Sequence, residues 1–276
     1  MAIVVNTNVP SVHAARALAS NRLDLEQAME RLSSGKRLNS ASDDAAGMSV
    51  VTRMNSQITG LNQAVRNAND GISMANTYDG AADEVGNILN RMRELAVQMS
   101  NGTYVTADRT NADLEFSALK DEIDRISSKS VWNGSVDIAS ATTASNTYAY
   151  QVGFNGSETI SIAFGRLEAS SLLGAANKGI GTTTSAQAMI ALIDTALSSL
   201  NNARATVGAG VNRLEHTVAN LMNIVQRTEE ARSRIEDTDF AAESAALAKA
   251  NVLAQAGTAM LAQANQSPQY VLSLLK

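Results

Sequence analysis

The chain has 276 residues, 45% of them apolar but only 4% aromatic, with no cysteine and a formal net charge of −5. This length allows about two domains and a sizeable core, and the missing cysteines exclude disulfides, thiolate catalysis and cysteine metal sites. The acidic balance, with no Lys/Arg cluster, argues against a nucleic-acid surface, and there is no run of about eighteen apolar residues to cross a membrane.

Residues 1–10 are β-branched and Asn-rich, include Pro10, and predict an extended arm. They lack the basic and apolar regions of a cleaved secretory leader. A helix is expected from about Ser11, where Leu18, Leu25 and Leu32 form a heptad row and Ala15, Arg22 and Met29 a second. Gly35 stops it. The polar stretch Asn39 to Ser42 reads as a turn, and Ser42 or Asp43 suits the next N-cap. A long helix follows from about Asp43 to Ser100. Val51, Met54, Ile58, Leu61, Val65, Ala68, Ile72 and Ala75 line one face of it. Tyr78, Val85, Met92 and Met99 then interleave with Ala82, Leu89 and Ala96. At 1.5 Å per residue such a helix is roughly 85 Å long and needs other long helices beside it.

A third helix is expected from Ala112, Phe116, Leu119, Ile123 and Ile126, closed by Trp132-Asn133-Gly134. Residues 148–152 and 159–164 alternate with period two around Asn155-Gly156, which predicts a β-hairpin. Residues 166–184 are rich in Gly, Ser and Thr and read as loop. Helix resumes near Ser185 and runs to about Arg204, with a soft spot at Gly208 and Gly210. A further seam then joins Val211, Val218 and Val225 to Leu214, Leu221 and Ile235. Asp237-Thr238-Asp239 is cap-like. The last helix carries Leu247, Leu253, Met260 and Leu261 among alanines and should end at Ser267-Pro268, before an apolar tail with Leu272, Leu274 and Leu275.

The fold class expected is mainly α, a long antiparallel coiled-coil or helical-bundle rod with a small β-hairpin region at its far end. Both terminal helices are Ala-rich and cannot bury themselves alone, so the pattern predicts self-assembly with other copies. His13 and His216 stand in separate helices without an HExxH motif, no Gly-rich phosphate loop is present, and Asp43-Asp44 and Asp237/Asp239 sit where caps belong. No catalytic, cofactor or metal site is expected. Asn101, Asn133 and Asn155 each start an N-G-[ST] triplet, which turn chemistry explains.

Several of these stretches resemble bacterial flagellin. They are LSSGKRLNSASDDAAG from Leu32, LNQAVRNANDGIS from Leu61, RMRELAVQMSNGT from Arg91, EIDRIS from Glu122, NRLEHTVANL from Asn212, RIEDTDF from Arg234 and QANQSPQYVLSLL from Gln263. The resemblance covers roughly the first 135 and last 95 residues. Lys36, Ser42 and Trp132 stand where the family more often has Leu, Lys and Phe, and the middle is short, as in flagellins without large outer domains. The resemblance implies a structural subunit of the flagellar filament, outside the cell and exported without a cleaved signal. It divides the chain into an inner-core domain of 1–34 with 240–276, a rod domain of 35–135 with 181–239, and a short variable region of 136–180. The polymer interface would include Leu18, Leu25, Leu32, Leu253, Met260, Leu272, Leu274 and Leu275. Implied partners are other copies, the flagellar export apparatus and its chaperone, and hook-associated and cap proteins. The flagellin-sensing Toll-like receptor would contact Arg91, Leu95 and Glu115, of which Arg91 and Leu95 share a helix face. A hook–filament junction protein shares the terminal pattern but not the full motif set, and an exported effector or enzyme would need a catalytic constellation in 136–210 that the sequence lacks.

Overall fold

The computed structural model describes residues 7–134, 136–139, 146–174 and 179–274, with side chains as far as Gln266. Its helices are α1 (Val9–Ser34), α2 (Ala45–Met99), α3 (Thr106–Lys129), α4 (Ala169–Leu172), α5 (Thr183–Glu236) and α6 (Phe240–Leu274). Two antiparallel pairs, β1 (Val131–Trp132) with β2 (Val136–Asp137) and β3 (Asn146–Gln151) with β4 (Thr159–Phe164), complete it. The chain forms two units, Gln57–Val225 and the combined ends Met1–Ser56 with Gln226–Lys276.

In the Gln57–Val225 unit, the expected α2 seam is the core. Tyr78, Ala82, Val85, Leu89, Met92, Ala96 and Met99 are all buried. Against them α3 places Phe116 and Ile123, and α5 places Met189, Ile193, Leu200, Val207 and Leu214. Ion pairs join the helices at the rim: Arg204 Nε lies 2.7 Å from Asp79 Oδ1, and Arg93 Nε lies 2.7 Å from Asp194 Oδ1. The β3–β4 register sets Tyr148 opposite Ile162 and Gln151 opposite Thr159, so Asn155-Gly156 lies within a longer loop, 152–158. The hairpin is not beyond the end of the helices. It lies along α2, where Asn67 Nδ2 donates to Gln151 O at 3.2 Å and Tyr78 packs against Phe164. The described residues of 136–180 therefore share one core with the helices, because Ile138, Ile162, Phe164, Leu167, Leu173 and Ile180 are buried in the same cluster.

Three expectations in this unit need correction. Trp132-Asn133-Gly134 does not close α3, which ends at Lys129; Asn133 (φ 52°) and Gly134 (φ 73°) form the turn between β1 and β2. Residues 166–184 are not a bare loop. They carry α4 and bury Leu167, Ala169, Leu173 and Ile180, and α3 carboxylates hold them: Ala169 N donates to Asp124 Oδ1 at 2.8 Å and Ile180 N to Asp113 Oδ1 at 2.6 Å. Gly208 and Gly210 do not interrupt α5, which is 54 residues long. Each glycine costs a helix only about 1 kcal/mol, and at Gly210 the missing side chain has a use: a Cβ there would stand 2.8 Å from Ile162 of β4.

In the unit of combined ends, Gly35 caps α1 in the left-handed conformation (φ 70°), as the sequence predicts. A two-stranded bridge fastens the linkers: Arg37 N donates to Glu236 O at 2.6 Å and Thr238 N to Gly35 O at 3.0 Å. Lys36 Nζ closes on the buried Glu236 carboxylate. The N-cap of α2 is Asp44, which accepts from Ala46 N and Gly47 N. The expected cap Asp43 instead accepts from Asn39 N and Ser40 N and holds the preceding turn. Those two donors keep the Asp43 carboxyl below its ordinary pKa. Asp239 caps α6 by accepting from Ala241 N and Ala242 N. The second row of α1 is one residue off the expectation: Ala14, Asn21 and Ala28 face inward, while Ala15, Arg22 and Met29 are exposed. Pro268 does not end α6, which runs to Leu274. A proline removes one N–H bond and crowds one carbonyl, which can bend a helix without stopping it.

Candidate functional site

The α1–α6 pair is built from small residues. Among described side chains of the two helices, the buried apolar ones are Ala28 and Ala250. Leu18, Leu25 and Leu32 are half-buried along the side of α1 that meets α6. Leu247 and Leu261 of α6 are half-buried on its inner side, but three other large apolar side chains face outward: Val252, Leu253 and Met260 are 65%, 47% and 63% exposed. On α1 the same holds for Val12, Leu23 and Met29. Helices so short of mutual burial, with apolar side chains left in water, carry an unfilled interaction surface. Leu272, Leu274 and Leu275 fall outside the described side chains.

The second candidate surface lies on α2 and α3. Arg91 Nη2 and Nε both reach Glu115 Oε1, at 2.7 and 3.0 Å, and Nη1 reaches Glu94 Oε2 at 3.1 Å. Hydrogen bonds to Glu115 first and Glu94 second raise the already high pKa of the guanidinium. The pair is exposed. Leu95, expected beside it on the surface, is only 3% exposed and belongs to the core. One turn separates Arg91 from Leu95, but the apolar stripe turns Leu95 inward with Met92 and Met99.

His13 and His216 are both exposed on separate helices, and among the described residues no group of His, Asp and Glu could hold a metal ion. No helix among them is long and apolar enough to cross a membrane. Asn101 and Asn155 serve their turns, accepting from Thr103 N and donating to Glu158 Oε1. Sequence reasoning missed the anchors Asp113 and Asp124 and the Arg204 bridge to Asp79 and Asp83. Asp79 and Asp83 stand one helical turn apart, which is the only local trace of that bridge.

A long-helix core joined to a terminal helix pair with unfilled apolar faces defines a structural protein built for self-association. Comparison with known proteins gives the family. The pattern of the bacterial flagellin N-terminal helical region matches residues 5–143, and that of the C-terminal helical region matches 190–275. A flagellin of Halalkalibacterium halodurans is 43% identical over 99% of this chain and all of its own length. A 31.3 kDa flagellar filament core protein of Treponema maltophilum is 40% identical, with 99% of this chain and all of that one covered. A putative flagellar hook-associated protein from Vibrio parahaemolyticus shares the fold alone, at TM-score 0.59 and 14% identity over 71% of this chain and all of that one. The chain belongs to the bacterial flagellin family. It is a structural subunit of the flagellar filament, which is exposed outside the cell.

Proposed function

We propose that the subunit polymerises through the outward faces of the α1–α6 pair, with Leu253 and Met260 at the centre of the contact and the apolar tail of Leu272, Leu274 and Leu275 extending it. The carrying observation is on α6, where Val252, Leu253 and Met260 stand in water while its one buried apolar side chain among those described is Ala250. Burying a Leu or Met side chain stabilises by about 1.5–3 kcal/mol, and every subunit in a lattice repeats the gain. The role is structural rather than catalytic. The test is Leu253→Asp, followed by sedimentation after seeding. A carboxylate forced into an apolar contact costs several kcal/mol, about 3 or more, so polymer should vanish while the Gln57–Val225 core melts as in the parent. Normal polymer would reject the assignment.

The exposed Arg91–Glu115 pair supports a second contact, with a flagellin-sensing Toll-like receptor. In this reading Arg91 and Glu115 meet the receptor and Leu95 supports the helix from beneath. Export through the flagellar apparatus with a chaperone, and junctions with hook-associated and cap proteins, follow from family membership as further parts of the proposal.

A further inference from the structure

We infer that the Asn101-Gly102 bond is a self-modification site, where the backbone nitrogen of Gly102 closes on the Asn101 side-chain amide and converts it to aspartate and isoaspartate. The fold selects this bond from three candidates. Asn101, Asn133 and Asn155 are each followed by Gly and then by Thr or Ser, so the bare sequence makes them near-equals.

The step consumes water and needs no oxidant. Gly102 N gives up its proton and attacks Asn101 Cγ. The N–Cγ bond forms, the Cγ–Nδ2 bond breaks, and Nδ2 takes the proton and leaves as ammonia. Water then opens the cyclic imide. Opening at Cγ gives aspartate, and opening at the main-chain carbonyl gives isoaspartate, which lengthens the backbone. Either product adds a negative charge.

The turn between α2 and α3 is equipped for this step. Arg109 Nη2 donates to Asn101 O at 2.7 Å. That oxygen shares the charge of the deprotonated Gly102 nitrogen, so the guanidinium stabilises the attacking anion. Thr103 N donates to Asn101 Oδ1 at 3.3 Å, and Oδ1 is where charge collects when Cγ becomes tetrahedral. The ring closed by this bond includes Gly102 N and holds the side-chain carbonyl over the same peptide. Asn101, Gly102 and Thr103 are all exposed, and a Cβ at Gly102 would meet nothing within 4 Å.

The other two bonds are protected. Asn133 has φ 52°, and in the left-handed region ψ is positive as well. Gly134 N then lies on the opposite side of the Cα–C bond from Cβ, so the imide cannot close until the turn between β1 and β2 opens. At Asn155 the leaving nitrogen is held, because Nδ2 donates to Glu158 Oε1 at 2.9 Å. The same carboxylate opposes a second negative charge on Gly156 N. Because the filament subunit is exposed outside the cell and the step needs only water and time, the fraction modified at residue 101 reports the age of a copy.

The experiment incubates the folded full chain in mildly alkaline buffer and follows the three sites by peptide mass spectrometry, with an isoaspartyl methyltransferase as the second readout. Asn101 should convert roughly tenfold or more faster than Asn133 and Asn155. In denaturant the three rates should converge. Arg109 also donates to Met99 O at 3.1 Å, so a purely structural role has to be separated. If Arg109 only ties down the turn, Arg109→Gln frees it and speeds conversion at Asn101. If its charge promotes the attack, Arg109→Gln slows conversion roughly tenfold with the melting transition intact, and Arg109→Lys keeps most of the rate. A rate at Asn101 that is unchanged or faster in Arg109→Gln overturns the assigned chemistry. Folded parent in which Asn133 or Asn155 converts as fast as Asn101 overturns the site itself, and that comparison needs no variant.

Discussion

Tyr78 of α2 meets Phe164 of β4 edge to face, with ring centroids 5.3 Å apart at 67°, and its hydroxyl donates to Gly165 O at 3.0 Å. Removing the hydroxyl takes the side-chain donor away from a part-buried carbonyl. Tyr78→Phe should therefore destabilise the Gln57–Val225 core by about 1–2 kcal/mol, read as a lower Tm by circular dichroism.

The same burial makes a pH prediction. Desolvation pushes the Tyr78 hydroxyl up to about 12 from 10.0, and Tyr150, whose hydroxyl lies against Met74 Sδ, is likewise pushed up to about 12. A folded pKa above the unfolded one gives stability that is complete below pH 10 and lost as pH rises through the folded value. Melting temperature should fall between pH 10 and about 12, and a Tyr78→Phe, Tyr150→Phe double variant should lose much of that slope. An unchanged slope would contradict this assignment.

Leu95 and Arg91 should separate cleanly by mutation. Leu95→Ala removes a core side chain and should cost about 2–5 kcal/mol of stability. Arg91→Ala breaks an exposed pair and should leave melting almost unchanged. If Arg91 and Glu115 meet a receptor, Arg91→Ala lowers receptor activation in a fully folded protein. Loss of activation by Leu95→Ala should instead track its loss of stability.

The fold was legible wherever large apolar residues kept a period. Tyr78, Val85, Met92 and Met99 were placed by spacing alone, as were Phe116 and Ile123. Legibility failed where side chains were small or polar. On α1, Ala14 and Ala15 are indistinguishable by hydropathy, and the inward position between Leu18 and Leu25 is held by Asn21, so weighting large apolar residues put the second row one place out. Leu167, Leu173 and Ile180 are buried in irregular backbone, which has no period to detect. Leu95 was misread for the opposite reason: a motif placed it on the surface although its own stripe, with Met92 and Met99, placed it inside. The outward Leu253 and Met260 were read as interface residues, but their division from the inward Leu247, Ala250, Ala254, Gly257 and Leu261 required the structure.

Weak burial along α1 and α6 predicts where the free subunit opens first. Local opening follows the number of buried apolar contacts, and these helices offer few beyond Ala28 and Ala250. Limited proteolysis of dilute subunit should cut within residues 7–34 and 240–266 before it cuts α2, α3 or α5. Equal resistance along the chain would contradict this.

The central claim is that the outer faces of α1 and α6 are covered by other copies, and methionine footprinting tests it most directly. Met29 and Met260 are exposed on those faces, and Met222 is exposed on α5, while Met92, Met99 and Met189 are buried. Dilute peroxide oxidises an accessible thioether to its sulfoxide and spares a buried one. In free subunit, mass spectrometry of peptides should find sulfoxide at Met29, Met222 and Met260 and little at the buried three. In polymer, Met29 and Met260 should become protected. Polymer in which both oxidise as fast as in the free subunit would place the contact elsewhere.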